Sequence, residues 1–172
     1  MKITTVSLAV ALALACTAIA SAQTPPSDQH AHHPAPAANA AAIDIAEGAA
    51  PAVAIADQFG QALAAGNFET VETLLAPDVL ILESGGAERS REEYLSHHAI
   101  SDAKFLKDAH HQLLRRRAQV AGDLVWIGSV SELHTTKDGK PLTLLSTETM
   151  VLRDTPDGWR IAHIHWSSRP KR

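Results

Sequence analysis

Two histidines and a glutamate near the end of the sequence have the types and spacing expected of an acid–base site. His163 and His165 are two residues apart in an alternating segment, so both side chains of an extended strand would point to one face. Glu148 lies on the preceding predicted strand, where matching the apolar ends of the two strands places it opposite His163. A carboxylate beside an imidazole fixes its tautomer and favours its protonated form, which suits general acid–base catalysis. Glu148 and His163 are therefore the candidate catalytic residues.

Four further residues are candidates for the same pocket. Ser129 falls on the face of Glu148, and Glu83 ends an early predicted strand. Tyr94 and His98 are four residues apart and share one face of a predicted helix, on which Asp102 also falls. Together with Glu148 and the two histidines, these residues form the predicted binding site: Glu83, Tyr94, His98, Ser129, Glu148, His163 and His165.

The same histidines allow a metal as the alternative occupant. His163 and His165 share a face, and His98 would reach them from the helix, with Glu148 or Glu83 supplying oxygen. Such ligands suit zinc, copper or iron. An H-x-H spacing also arises by chance in a chain with 10 histidines, so no metal is assigned and no cofactor is expected.

The elements that would position these residues are three helices, an early strand and a final sheet. Pro51 and Gly66 bound a helix over 51–65, and Asn67 caps a short second helix that Pro77 ends. Ser90-Arg91-Glu92-Glu93 is a capping box that starts a third helix reaching about residue 106. The predicted strands are 79–83, 111–120, 123–134, 142–153 and 158–167. This order predicts an α+β fold with helices on one face of an antiparallel sheet.

The Asp138-Gly139 turn sets the register of the central hairpin. A two-residue turn there pairs Lys137 with Lys140 and places Ser129 opposite Glu148. The resulting face is apolar at one end and polar at the other, which suits a half-open cavity. The opposite face is predicted to carry apolar residues that suit a homodimer interface through the sheet, namely Trp126, Val130, Val151, Ile164 and Trp166.

The N-terminal part of the chain has a different composition. Residues 1–22 have a basic start, an apolar run and an Ala20-Ser21-Ala22 ending, which is typical of a secretory signal peptide. Lipid anchoring through Cys16 is not expected, because Leu14 lies one position too late for a lipobox. Residues 23–50 are rich in Pro, Ala and His and predict a disordered linker. The predicted domain is 51–168, with 169–172 as a tail.

Charge and cysteine content narrow the classes of partner. The formal net charge is −4, and loss of Lys2 with the signal would make it −5, which disfavours nucleic-acid binding. The single cysteine, Cys16, would leave with the signal, so the mature chain would form neither a disulfide nor a thiolate metal site. The expected mature protein is exported to the periplasm and does not bind the membrane.

Three segments resemble one known superfamily: LAPDVLILESGG, SREEYLSHH and TETMVLRDTPDGWRIAHIHWSS. They are similar to the NTF2-like superfamily, and within it to the SnoaL-like and DUF4440-like proteins, over nearly all of 51–168. The resemblance implies a cone, made of a curved antiparallel sheet packed against three N-terminal helices, that encloses a pocket and often dimerises through the sheet. It transfers no catalytic role, because these proteins include isomerases, dehydratases, cyclases, transport factors and association domains.

The sequence therefore leaves three functions open. The first is binding of a small organic ligand in a conical pocket. The second is an acid–base enzyme of the isomerase or dehydratase type that uses a Glu/His pair. The third is a histidine-based metal-binding protein. The ligand itself is not identified by any motif.

Overall fold

The structure is a computed structural model that describes residues 40–172. The predicted signal peptide and the predicted linker up to residue 39 lie outside the described residues. The described part consists of seven strands and four helices in this order: β1 (Ala42–Ile45), α1 (Ala50–Ala64), α2 (Phe68–Leu74), β2 (Leu75–Glu83), β3 (Gly86–Glu88), α3 (Arg91–Ser96), α4 (His98–Lys107), β4 (His110–Ala121), β5 (Leu124–Lys137), β6 (Lys140–Arg153) and β7 (Arg160–Pro170).

The helix starts follow the capping residues that the sequence predicts. The Asn67 side chain accepts a hydrogen bond from the Thr70 amide at 3.1 Å at the start of α2. Ser90 accepts one from the Glu93 amide at 3.0 Å at the start of α3. The Glu93 carboxylate in turn accepts a bond from the amide of Arg89, the residue before the cap, so the two side chains satisfy one amide of the first helical turn and one just before the helix.

The predicted third helix is divided in two at His97. His97 has φ −139° and ψ −69°, which are not helical torsions, and it separates α3 from α4. The Ser96 hydroxyl bonds both the Glu93 carbonyl and the His97 ring, so it competes with the helical hydrogen bonds at this point. Tyr94 and Asp102 still meet across the break, as their shared face predicts.

One mixed sheet carries all seven strands, in the order β1-β4-β5-β6-β7-β2-β3. The α+β class and the helix-covered curved sheet are confirmed. Two pairings are parallel, β1 with β4 and β2 with β7, and the sequence did not predict them. Strand β1 lies inside the segment predicted to be linker, so the sheet begins before Pro51; Asp44 of β1 forms an ion pair with Arg117 of β4.

The β5–β6 hairpin has the predicted register. Lys137 pairs with Lys140, and Ser129 lies opposite Glu148. Asp138 and Gly139 both have positive φ, 51° and 73°, which is the two-residue turn that matches strand twist.

The predicted register of the β6–β7 hairpin is wrong. The two strands shift between Val151 and Leu152: Leu152 pairs with Ile161, whereas Val151 pairs with His163. Ala162 is the extra residue, so every side chain after it changes face relative to the prediction. Ile164 and Trp166 consequently face the helices, and both histidines face outward.

The core lies between the helices and the inner face of the sheet. Phe59 and Leu63 of α1 pack with Tyr94, and the sheet contributes mostly branched aliphatic side chains that are almost fully buried. The sheet residues are Val79, Ile81, Val125, Ile127, Leu152, Ile161 and Ile164. This core occupies one end of the inner face and leaves the other end for a cavity.

Candidate functional site

A cavity of about 600 Å³ lies between α1, α4 and the inner face of the sheet. Much of its wall is apolar. The largest apolar side chains are Phe59, Leu63, Phe105, Leu106, Leu133, Leu144, Met150 and Trp166. The charged or titratable side chains that line it are Asp57, Glu83, Asp102, His111, Arg116 and Glu148, together with the hydroxyls of Ser129, Ser146 and Ser168.

A row of neighbouring side chains crosses the cavity floor on five adjacent strands. Glu83 pairs with Trp166, and Trp166 pairs with Glu148. Glu148 pairs with Ser129, which pairs with Arg116. Neighbouring strands are about 4.8 Å apart, so the row places a carboxyl at one end, a guanidinium at the other and an indole between two carboxyls.

Trp166 is held in this row by two aromatic neighbours and by its N–H. Its ring lies 6.4 Å from that of Phe59 and 6.3 Å from that of Tyr94, measured between centroids. Its Nε1 donates to Glu148 Oε2 at 2.9 Å. The bond fixes the orientation of the Glu148 carboxylate, and the packing makes Trp166 the aromatic centre of the cavity floor.

Two carboxyl groups meet at the Glu83 end. Asp102 of α4 lies on the cavity wall and accepts a 2.9 Å bond from the hydroxyl of the fully buried Tyr94. Burial raises the pKa of Asp102. Glu83 is more exposed, but partial desolvation still raises its pKa, and the charge of Asp102 raises it further. Burial and the same carboxylate raise the pKa of Tyr94, which therefore acts as a donor.

Behind this end, Glu88 and His98 form a close ion pair. The Glu88 side chain is almost completely buried, whereas His98 is exposed at the first residue of α4. A buried carboxylate needs such a partner to offset its loss of hydration. His98 therefore serves Glu88 rather than the cavity, although its charge also lowers the pKa of Asp102, against the larger effect of burial.

The opposite end holds the buried Arg116. Its Nη1 donates to Asp57 Oδ1 of α1 at 2.5 Å, and its Nε donates to Ser129 Oγ at 3.2 Å. His111 is on the same strand and also lines the cavity. Desolvation lowers the pKa of His111, and the charge of Arg116 lowers it further.

Of the residues predicted from sequence, three line the cavity: Glu83, Ser129 and Glu148. Tyr94 is buried beside it and reaches it through Asp102. The structure does not bring His98, His163 and His165 together. His163 and His165 lie on the outer face of β7, where His163 Nδ1 is 2.8 Å from the Leu80 carbonyl oxygen. The proposed Glu148–His163 pair is therefore not formed, because the bulge at Ala162 turns the imidazoles away from Glu148.

Sequence reasoning missed several lining residues, and some had a readable signal. Arg116 alternates with Arg115 and Arg117, so its side chain points to the other face of β4, although a run of three arginines on a strand is by itself typical of an exposed edge. Asp102 was already on the predicted face with Tyr94. Asp57 had no signal beyond its helical position.

Two features are absent from the part of the chain that is described. Across residues 40–172, no group of three or more His, Cys, Asp or Glu side chains is arranged to hold a metal ion. Within the same range, every helix is too short or too polar to cross a membrane.

Comparison with known proteins gives the family. The model of the SnoaL-like domain matches residues 53–170. The chain belongs to the SnoaL-like domain family. A search of curated proteins finds no match.

Three solved structures resemble this SnoaL-like domain. A Shewanella frigidimarina NCIMB 400 protein, proposed to be a ketosteroid isomerase, is 35% identical, with 73% of this chain and 100% of that chain covered and a TM-score of 0.67. A protein of the NTF2-like family from Streptomyces avermitilis, proposed to be a dehydratase, is 21% identical, with 70% and 95% covered and a TM-score of 0.57. The S. rosetta CaMKII hub is 20% identical, with 72% and 98% covered and a TM-score of 0.61. The last two show the fold alone.

The geometry of this SnoaL-like domain allows two kinds of chemistry. The apolar wall and the polar groups at its two ends can hold and orient a small molecule. The carboxyls of Glu83 and Asp102 are the groups of the wall suited to exchange a proton with such a molecule, because desolvation moves the pKa of each upward, towards neutral pH.

Proposed function

We propose that this SnoaL-like domain binds a small organic molecule in the cavity between α1, α4 and the inner face of the sheet. The observation that carries the proposal is the cavity itself. Its volume of about 600 Å³ lies within the range of about 300–1,000 Å³ that is usual for ligand sites. An apolar wall with charged groups at two ends favours a ligand that has an apolar body and at least one polar group.

A cavity-filling variant tests this proposal. Ser146 lines the cavity, so Ser146→Phe should fill part of it and abolish binding of any compound found in a thermal-shift screen and measured by calorimetry. Thr136 is exposed near the β5–β6 turn, and Thr136→Phe is the matched control that should bind normally. Equal binding by the wild type and the folded Ser146→Phe variant would show that the compound binds elsewhere.

Acid–base catalysis is the second candidate function, with Glu83 and Asp102 in place of the predicted Glu148–His163 pair. Partial desolvation raises the pKa of the half-buried Asp102 and of Glu83, which is the more exposed of the two, and an upward shift of this kind favours a carboxyl as acid or base nearer to neutral pH. The 35% identical relative that is proposed to be a ketosteroid isomerase supports proton transfer next to a carbonyl as the reaction class.

The test is the isomerisation of a β,γ-unsaturated ketosteroid to its conjugated isomer, followed by ultraviolet absorbance. If the carboxyls act in proton transfer, Glu83→Gln and Asp102→Asn should lower kcat by about 10²- to 10⁴-fold with the fold retained. Glu92→Gln, an exposed carboxyl on α3, is the control and should keep full activity. Turnover that survives both cavity variants would assign the reaction to other groups, and absence of turnover in the wild type would leave binding as the function.

We also propose a homodimer through the outer face of the sheet. Trp126 and Val130 lie on this face with 41% and 37% of their surface exposed. A stable dimer usually buries about 800 Å² per partner, and these exposed apolar side chains are the surface that such an interface would cover. Val130→Arg should convert the dimer to a monomer in light scattering after size-exclusion chromatography. Thr136→Arg is the control; a wild type that is monomeric at micromolar concentration would refute the proposal.

We also propose that the protein is exported to the periplasm. The pattern of residues 1–22 supports export to the periplasm, with removal of the signal before Gln23. N-terminal sequencing of the periplasmic fraction should begin at Gln23, and a Cys16→Ala variant should be exported equally well.

A further inference from the structure

Among residues 40–172, several charged side chains line the cavity, and only that of Arg116 is at least nine-tenths buried. Its residue surface is 9% exposed, and it points inward from β4, opposite to Arg115 and Arg117. Burial of a guanidinium is costly unless its N–H groups are bonded. Its hydrogen-bond partners therefore indicate which kind of ligand group Arg116 can bind.

The protein uses only part of the hydrogen-bonding capacity of Arg116. A guanidinium has five N–H groups. Nε donates to Ser129, and one Nη1 hydrogen goes to Asp57. The other three, including both on Nη2, donate to no atom of residues 40–172. A planar fork with free N–H groups on a cavity wall matches the geometry of a carboxylate.

Asp57 is more exposed than Arg116, so it depends less on this contact. Its side chain is 49% exposed, against 10% for Arg116, so Asp57 can return to water while Arg116 cannot. Glu148 makes no ion pair with the guanidinium among residues 40–172, where the carboxylate partner of Arg116 is Asp57; its Oε2 accepts from Trp166 instead. A carboxylate from a ligand could thus replace Asp57 on Arg116 without leaving a buried charge unpaired.

We propose that Arg116 anchors the carboxylate of the cavity ligand and that Asp57 competes with that carboxylate. This inference rests on the proposed binding function and specifies its ligand class as a small organic acid with an apolar body. The acid group pairs with the guanidinium fork, and the body packs on Phe59, Met150 and Trp166. The four carboxyls of the wall predict the opposite, that the cavity binds an organic cation. Tighter binding of a cation is therefore the competing outcome of the test.

Three probes with one carbon skeleton separate these outcomes: 3-phenylpropionate, 3-phenylpropionamide and 3-phenylpropylamine. Calorimetry at neutral pH on the full mature chain should show that the carboxylate binds at least about 10-fold more tightly than the amide or the amine. Arg116→Gln should remove this preference. Asp57→Asn should tighten carboxylate binding, because it removes the competitor, and should leave amide binding unchanged. Glu92→Gln is again the control outside the cavity.

The outcomes are distinguishable from a failure of the proposed function. Equal or tighter binding of the amine or the amide overturns the anchor and leaves cavity binding intact. Weaker carboxylate binding by Asp57→Asn overturns the competition and makes Asp57 a positioning residue for Arg116. If Arg116→Gln does not fold, the head-group preference of the wild type and the Asp57→Asn result decide the question. If none of the three probes binds the wild type, the result counts against the binding function, and the proposed role of Arg116 is overturned together with it.

Discussion

Replacing two neighbouring residues of β7 by alanine tests the register that defines the site. Ile164 is fully buried, and His165 is exposed on the outer face. Ile164→Ala removes three buried carbons, worth roughly 2.4 kcal/mol at about 0.8 kcal/mol each. The cavity that remains raises the cost in free energy of unfolding to about 3–4 kcal/mol, within the range measured for such changes. His165→Ala should change it by less than about 0.5 kcal/mol.

Urea denaturation followed by tryptophan fluorescence measures both values. The thermal midpoint of Ile164→Ala should fall by roughly 10 °C or more, since each kcal/mol corresponds to roughly 3–5 °C in a domain of this size. Measurement at two protein concentrations separates a change in fold stability from a change in dimerisation. The register without the bulge predicts the reverse order, with His165 buried and Ile164 outside. A larger loss for His165→Ala than for Ile164→Ala would therefore refute the bulge at Ala162 and the composition of the cavity floor.

Two further predictions concern a buried carboxyl and a helix cap. Because the pKa of Asp102 is raised, the folded protein binds the proton of this carboxyl more tightly than the unfolded chain does. Asp102 therefore stabilises the fold below its ordinary pKa of 3.8, and this stabilisation is lost as the pH rises through the raised pKa of the folded state. Asp102→Asn should thus match the wild type in thermal midpoint near pH 3.5 and exceed it increasingly towards neutral pH; a constant difference at every pH would contradict this. Ser90→Ala removes the bond to the Glu93 amide and should cost about 1 kcal/mol in urea denaturation, whereas Ser90→Gly should cost less than Ser90→Ala.

The parts of the fold that could be predicted are those with local chemical signals. The register of β5 and β6 followed from Asp138-Gly139, because a two-residue turn allows one pairing only. The cap at Ser90 likewise fixed where α3 begins. In contrast, β6 and β7 are joined by a six-residue connection, Asp154–Trp159, which permits several registers, and matching apolar ends could not reveal one extra residue.

The parallel pairings were not predictable for a different reason. Strand β1 is four residues long and exposed, and its pairing with β4 depends on contacts about 70 residues away in sequence. No local pattern encodes such a contact, and the Pro- and Ala-rich composition around it favoured a linker. Arg116 is an intermediate case: alternation gave its face, but only the position of α1 brings Asp57 over it.

The bulge at Ala162 also determines what chemistry the cavity can perform. Without it, two imidazoles would face Glu148, and the site would change charge near neutral pH. With it, Trp166 occupies that position and lies between two carboxyls of the row, with Glu83 on one side and Glu148 on the other. The indole keeps the Glu83–Asp102 pair apart from Arg116, so a proton-transfer end and an anion-binding end can coexist without neutralising each other. A ligand that spans the floor would then contact the face of Trp166 between its two polar groups, which makes the length of the ligand, as well as its charge, a determinant of binding.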